Sequence, residues 1–183
     1  MLKLTGGEHR GRRLKWLDKP EIRPTPARVR EAIFHVWGPI IENSRWWDLC
    51  SGSGVIGLEA LSRGAEQVTF VEQNPRALEL LKENIETLRL EEQSTLYRSR
   101  VQQFIKRQST IDVDFIYFDP PYDDARLYAY VIEQLDKSKV NRPVTLCIEY
   151  RKRHKKWQSP QHWELIETRE YGDVFLDILE RHP

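Results

Sequence analysis

The chain has 183 residues, enough for one substantial core and short for two domains of ordinary size. Its 29 Lys and Arg against 28 Asp and Glu leave a formal net charge of +1, so the overall balance selects no partner. No apolar run approaches the roughly 20 residues that cross a bilayer, and the first ten residues lack the apolar core of a secretory signal. A cytoplasmic protein with no membrane association is therefore expected.

Sorted by position, the charges tell more. Residues 1–30 hold nine basic side chains (Lys3, Arg10, Arg12, Arg13, Lys15, Lys19, Arg23, Arg28 and Arg30) against Glu8, Asp18 and Glu21, and residues 151–156 read Arg-Lys-Arg-His-Lys-Lys. Segregated basic segments suit a polyanion. Cys50 and Cys147 each sit in an apolar stretch, which reads as two buried, reduced thiols and predicts neither a disulfide nor a metal site.

In chain order, Gly6-Gly7 and Arg10-Gly11-Arg12-Arg13 fall among alternating Leu2, Leu4, Leu14 and Trp16, a pattern that predicts a small basic β-hairpin. Residues 1–20 are assigned to this arm and 21–183 to the main domain. Pro20, Pro24 and Pro26 punctuate a loop before a helix over 27–37. From residue 45 the pattern alternates, with strands at 45–50, 68–72, 94–97, 113–118 and 144–150. Between them, helices start at Val55, Pro75 and Val101, and another carries Leu127, Val131, Ile132 and Leu135. The alternation predicts an α/β, Rossmann-like, mostly parallel sheet with helices on both faces and right-handed crossovers. Runs at 163–170 and 174–179, separated by Tyr171-Gly172-Asp173, predict an antiparallel hairpin that brings the sheet to seven strands. A plain dinucleotide-binding sheet would end in a helix and a parallel strand instead.

Two motifs fall at the carboxyl ends of the predicted strands, where ligands bind in open α/β sheets. The first is Asp48-Leu-Cys-Ser-Gly52-Ser-Gly54-Val-Ile-Gly57, with Glu72 ending the next strand. Glycines there admit a tight turn and a close ligand, and an acidic side chain at the second strand end accepts ribose hydroxyls. The ligand is thus NAD or S-adenosylmethionine. Asp48 leans towards the latter, because a carboxylate repels pyrophosphate and attracts an ammonium group. The second motif, Asp119-Pro120-Pro121-Tyr122, follows the strand ending at Phe118. The Asp119 carboxylate and the Pro120 carbonyl form an acceptor pair for an exocyclic amine, and the prolines fix φ so that both are preorganised. Tyr122 offers a ring for an unstacked base.

These residues resemble the bacterial 16S ribosomal RNA guanine-N2 methyltransferases of the RsmD type. The resemblance is carried by Gly6-Gly-Glu-His-Arg-Gly-Arg-Arg-Leu14, Arg23-Pro-Thr-Pro-Ala-Arg-Val-Arg-Glu-Ala-Ile-Phe34, Asp48 to Gly54, Gly57-Leu-Glu-Ala-Leu-Ser-Arg-Gly-Ala65 and Asp119-Pro-Pro-Tyr122. It implies methyl transfer from S-adenosylmethionine to the N2 amine of a guanine, number 966 in the usual rRNA count, on the small ribosomal subunit or its assembly intermediate. A monomer is expected, in-line transfer needs no metal, and catalysis is assigned to Asp119, Pro120, Pro121 and Tyr122. Cofactor contacts are implied at Thr25, Asp48, Cys50, Ser51, Gly52, Gly54, Glu72, Gln73 and Val101, and RNA contacts at Arg10, Arg12, Arg13, Arg23 and Arg28. Arg100 and His35 stand where relatives tend to have Asp or Asn and Asn, respectively, and the basic run 151–156 is not a family feature. Competing readings are an N6-adenine methyltransferase, for which no separate target-recognition domain is evident, and a non-catalytic rRNA-binding assembly factor, for which the acceptor pair has no use. Glutamine methylation and hydride transfer suit the motifs less.

Overall fold

The protein is described by a computed structural model covering residues 1–17, 24–121, 123–151, 157 and 160–183. Its elements run α1 (Ala27–Ile41), β1 (Arg45–Leu49), α2 (Val55–Ser62), β2 (Gln67–Glu72), α3 (Pro75–Leu88), β3 (Ser94–Arg98), α4 (Val101–Lys106), β4 (Thr110–Ile111), β5 (Phe115–Phe118), α5 (Ala125–Lys137), β6 (Lys139–Val140), β7 (Val144–Arg151), β8 (Glu164–Tyr171) and β9 (Val174–Arg181). Seven strands form one sheet in the order β3-β2-β1-β5-β7-β9-β8, and β4 and β6 pair separately. The first five are parallel neighbours, whereas β9 lies antiparallel to both β7 and β8. The expected α/β sheet with its terminal hairpin is the one observed.

Local chemistry sets the element ends. Asn74 caps α3 by accepting from the N–H groups of Arg76 and Ala77, with Pro75 in the first helical turn, and Asp124 caps α5 through the Leu127 N–H. Helix α1 runs one turn beyond residue 37, because Trp37 and Ile41 are both buried on its inner side. Strand β5 starts at Phe115 and not at 113, since the Asp114 carboxylate accepts from the Arg45 N–H at 2.7 Å and closes the edge of the ladder there. The two-residue pair β4 and β6 carries no periodic signal and was not anticipated.

The central strands are buried almost throughout, as parallel strands covered on both faces must be. Side-chain alternation divides the core into two clusters. Trp46, Phe70, Phe115, Tyr117 and Cys147 face α1, α2 and α3, whereas Trp47, Leu49, Val71, Phe118 and Ile148 face α4 and α5. Trp46 stacks on Phe115 with ring centroids 4.4 Å apart, so the tandem tryptophans are packing residues. Trp157 is buried edge-on to Tyr150.

The N-terminal segment forms a hairpin bridged at Lys3 and Arg13, with Leu2, Leu4 and Leu14 buried in the first cluster. Its turn is pinned to the last residue of α2: the Glu8 N–H donates to the Ser62 carbonyl at 2.7 Å, and the Ser62 hydroxyl donates to the Gly6 carbonyl at 2.7 Å. A side chain on Gly7 would strike that same carbonyl, and its φ of +73° is left-handed, so glycine is required. Beneath the hairpin lies a buried ion network. Glu59 of α2 accepts from Arg30 of α1, from Arg63 and from the Thr5 N–H. Arg30 also donates to the carbonyls of Thr25 at 2.6 Å and Lys3 at 2.7 Å. Burial pulls the Arg30 pKa down, and Glu59 opposes that shift.

Removing one member of such a network strands a buried charge, which costs about 3–5 kcal/mol. Arg30→Ala is expected to lose that much stability in urea unfolding and to release the amides of Leu4 and Leu14 to hydrogen exchange.

Candidate active site

Register decides which side chains meet at the carboxyl rim of the sheet. Leu49 pairs with Val71 and with Phe118, and Phe118 pairs with Ile148. One residue further, β2, β1, β5 and β7 bring Glu72, Cys50, Asp119 and Glu149 into a single row. Asp48 and Tyr117 stand two residues before Cys50 and Asp119, on the α1, α2 and α3 face. The rim therefore gathers the two predicted motifs and adds Glu149, a residue the sequence reading did not single out. Its signal was available: it is the one charged residue in the mostly apolar run Val144 to Tyr150.

The loop after β1 is stitched to β2. The Ser51 N–H donates to the Val71 carbonyl at 3.0 Å, the Ser51 hydroxyl to the Asp48 carbonyl at 2.9 Å, and the Gly54 N–H to the Ser51 carbonyl at 2.7 Å. Cys50, Gly52 and Gly54 have φ of 62°, 54° and 69°. At Gly54 the glycine requirement is structural as well as conformational, because a Cβ would lie 2.3 Å from the Leu81 side chain. Glu72 is nearly buried, and its two oxygens accept from the backbone N–H groups of Gly52 at 2.8 Å and Asn74 at 2.7 Å. These bonds hold the carboxylate in place and leave lone pairs on both oxygens able to accept from further donors.

Asp48 is buried beneath this loop and accepts from the Gly57 N–H in the first turn of α2 at 3.0 Å. Burial, and secondarily the charge of Glu72, push its carboxyl up to about 7, against the opposing pull of the Gly57 N–H. Asp119 is partly exposed. Its carboxyl is pushed well above the usual range, by its packed surroundings first and then by Glu149 and Asp48, with Arg151 acting the other way. Burial likewise raises both thiols; Cys147 is buried as expected, whereas Cys50 is only half-buried because it belongs to the loop. A rim of such carboxyls suits a ligand that combines a ribose with positive charge, as S-adenosylmethionine does with its ammonium and sulfonium groups.

The Asp-Pro-Pro turn is fixed at both ends. The Asp119 N–H approaches the Leu49 carbonyl at 3.4 Å, and the Pro121 carbonyl accepts from the Asp124 N–H at 3.1 Å. Pro120 is buried and Pro121 exposed. Thr25 is buried, and its hydroxyl donates to Glu149 at 3.2 Å. Val101 is buried at the start of α4, with Arg100 exposed beside it, and Gln73 is exposed after Glu72. Arg10, Arg12, Arg13 and Arg28 are exposed on the hairpin and on α1. Tyr122, Arg23 and residues 152–156 of the basic run lie outside the described residues. Among the described residues no cluster of three or more His, Cys, Asp or Glu is arranged to hold a metal ion, and no helix is long and apolar enough to cross a membrane.

A seven-stranded sheet in this order, with a glycine loop after the first strand and an Asp-Pro-Pro turn after the fourth parallel one, defines a Rossmann-like methyltransferase. The chain belongs to the RsmD family, whose model, described as "Conserved hypothetical protein 95", matches residues 2–180. It is 35% identical over 130 residues to the "Putative rRNA methyltransferase YlbH" of Bacillus subtilis, covering 70% of this chain and 71% of that one. With "Ribosomal RNA small subunit methyltransferase D" of Haemophilus influenzae it shares 32% identity over 175 residues, covering 94% and 90%. The solved structure of "Putative methyltransferase yhhF" from Escherichia coli superposes with a TM-score of 0.88 at 27% identity, over 100% of this chain and 98% of that one.

The raised Asp48 carboxyl makes stability depend on pH. The unfolded chain ionises it near 3.8 and the folded chain near 7, so the protein is favoured below the lower value and loses that advantage as pH rises towards the upper one. Asp48→Asn keeps an acceptor for Gly57 and removes the titration. Its melting temperature relative to wild type is expected to climb from pH 4 to pH 7 and then level off, with a free-energy span on the order of 4 kcal/mol.

Proposed function

We propose that this protein transfers a methyl group from S-adenosylmethionine to the exocyclic N2 amine of a guanine in 16S rRNA, guanine 966 in the usual count, on the small ribosomal subunit or its assembly intermediate. The observation that carries the proposal is the rim row, which sets Asp119 beside the glycine loop and Glu72. The names of its relatives as rRNA methyltransferases support the substrate class.

In this reading Glu72 holds the ribose, the carboxylate of Asp48 meets the ammonium group, and the backbone from Cys50 to Gly54 lines the cofactor, with Thr25, Gln73 and Val101 at its margins. The bound cofactor supplies an electrophilic methyl group. Asp119 and the Pro120 carbonyl accept hydrogen bonds from the target NH2 group, draw its lone pair out of conjugation and aim it. The Pro121 carbonyl is already engaged by Asp124, which leaves Pro120 as the second acceptor. Rate then comes from orientation and fixed charge, without a covalent intermediate on the protein. Tyr122 is assigned as a stacking platform for the base, and Arg10, Arg12, Arg13, Arg23 and Arg28 as phosphate contacts. Between the hairpin and the Pro24–Ala27 segment lies a groove of about 510 Å³, lined among others by Lys3, Arg10, Trp16 and Thr25, whose hydroxyl donates to Glu149.

Nucleoside mass spectrometry of unmethylated small-subunit rRNA, free and protein-bound, after incubation with the protein and S-adenosylmethionine should show N2-methylguanosine. N6-methyladenosine in its place would install the adenine reading. Asp119→Ala is expected to slow transfer by about 100-fold or more while leaving the cofactor dissociation constant, measured by calorimetry, within a few-fold of wild type.

Neutralising Arg10, Arg12 and Arg13 together should weaken rRNA binding and flatten its log-log salt dependence by about 2 to 3. An unchanged slope would remove the hairpin from the RNA interface.

A further inference from the structure

Glu149 is almost fully buried, on β7 just past its ladder with β5 and in the rim row, yet none of the roles assigned so far uses it. It is held from two sides: the phenol of Tyr117 donates to its carboxylate from β5, and the Thr25 hydroxyl donates to it from the segment before α1. A third bond fixes its backbone, since the Tyr128 hydroxyl of α5 donates to the Glu149 carbonyl at 2.8 Å. Because Phe118 pairs with Ile148, Asp119, the first residue after β5, comes level with Glu149, and paired parallel strands lie only about 4.8 Å apart. Two carboxyl groups so placed cannot both ionise cheaply, and one proton between them relieves the repulsion.

Resting on the methyl-transfer reading above, we propose that Glu149 is a positioning residue that faces Asp119 across β5 and β7 and shares with it the proton that the target amine loses. The proton count requires such a place. The amine nitrogen forms its bond to carbon with its own lone pair, the carbon–sulfur bond breaks with its pair going to sulfur, and one N–H proton must leave. Asp119, ionised and already accepting from that N–H, takes it, and the pair, doubly charged before transfer, then holds that one proton in common. Glu149 acts on the amine only through Asp119.

The charged and titratable groups around Glu149 agree with this assignment. Asp48, Asp119 and Tyr117 face it from β1 and β5, Cys147 and Arg151 stand two residues away on β7, Glu72 lies further along the row, and Arg30 of α1 reaches only the backbone of Thr25. On β9, Asp177 turns to the opposite face, where it takes the hydroxyls of Tyr150 and Thr168, and Arg169 lies beyond on β8. Among the described residues, Glu149 is the charged neighbour that contributes most to raising Asp119, and Arg151 opposes it.

The test is a carbon-13 titration of the side-chain carboxyls in the full-length protein, with Asp119 assigned through Asp119→Asn, alongside single-turnover methyl transfer as a function of pH. Glu149→Gln should lower the Asp119 midpoint by about one pH unit or more, and the acid limb of the rate profile should move down with it. Tyr117→Phe, which keeps the ring and removes a donor that favours ionised Glu149, should shift both in the same direction by less, and it decides the matter should the first variant fail to fold. An unmoved midpoint in the folded variants overturns the shared proton. A midpoint that moves while the acid limb stays fixed overturns its part in transfer. Absence of any methyl transfer by the wild-type protein sinks the functional reading instead, and the titration, which needs no turnover, still decides whether the two carboxyls share a proton.

Discussion

Parallel pairing of β1 with β2 and β5, and of β5 with β7, is the constraint from which the site follows. Each ladder is evenly spaced and in register, so the three parallel ladders end at one level. The glycine loop, Glu72, Asp119 and Glu149 are far apart in the chain and become neighbours only because those ladders end together. A slip of one residue in β5 would turn Asp119 towards α4 and α5 and put Phe118 in its place. The core protects that register: Trp46 and Phe115 stack across β1 and β5 at the opposite end of the same strands, and neither fits the other face without displacing Trp47 or Ile116.

The consequence is electrostatic. Gathering Asp48, Glu72, Asp119 and Glu149 at one rim costs the folded chain, as the raised carboxyls of Asp48 and Asp119 show. A positively charged ligand reverses that cost, so binding free energy and charge relief coincide at the place where chemistry is proposed. The near-neutral total of the chain conceals this arrangement. Basic residues are segregated on the arm, and acids line the rim.

Most of the fold was legible because its signals are local: period-two and period-3.6 apolar patterns, Pro75 after Asn74, and a glycine between two alternating runs at the hairpin. The site was legible as far as its motifs were contiguous, which held for Asp48 to Gly54 and for Asp119 to Tyr122. What escaped was relational. Glu59 reads as a stray acid in an apolar helix until Arg30 and Arg63 converge on it from 29 residues before and four after. Glu149 and Tyr117 are 32 residues apart and meet only through the sheet. Gly54 suggests a ligand's close approach, whereas Leu81, on another helix, already supplies a steric reason for it. Thr25 shows the converse: its proximity to the site was implied, but its partner was not.

The buried network also changes how the arm should be understood. A basic hairpin on a loose tether would raise the local concentration of RNA near the rim without orienting it. Here the hairpin's leucines belong to the main core, its turn is bonded to Ser62, and Arg30 joins Lys3 of the hairpin to Thr25, whose hydroxyl reaches Glu149. A continuous line of buried and partly buried bonds thus runs from the arm to the row that holds Asp119. For a reaction in which an amine must be presented in line with a methyl group, displacement by an ångström is expensive. Rigidity of this connection is therefore what would let phosphate contacts on the arm contribute to orientation at the rim as well as to affinity.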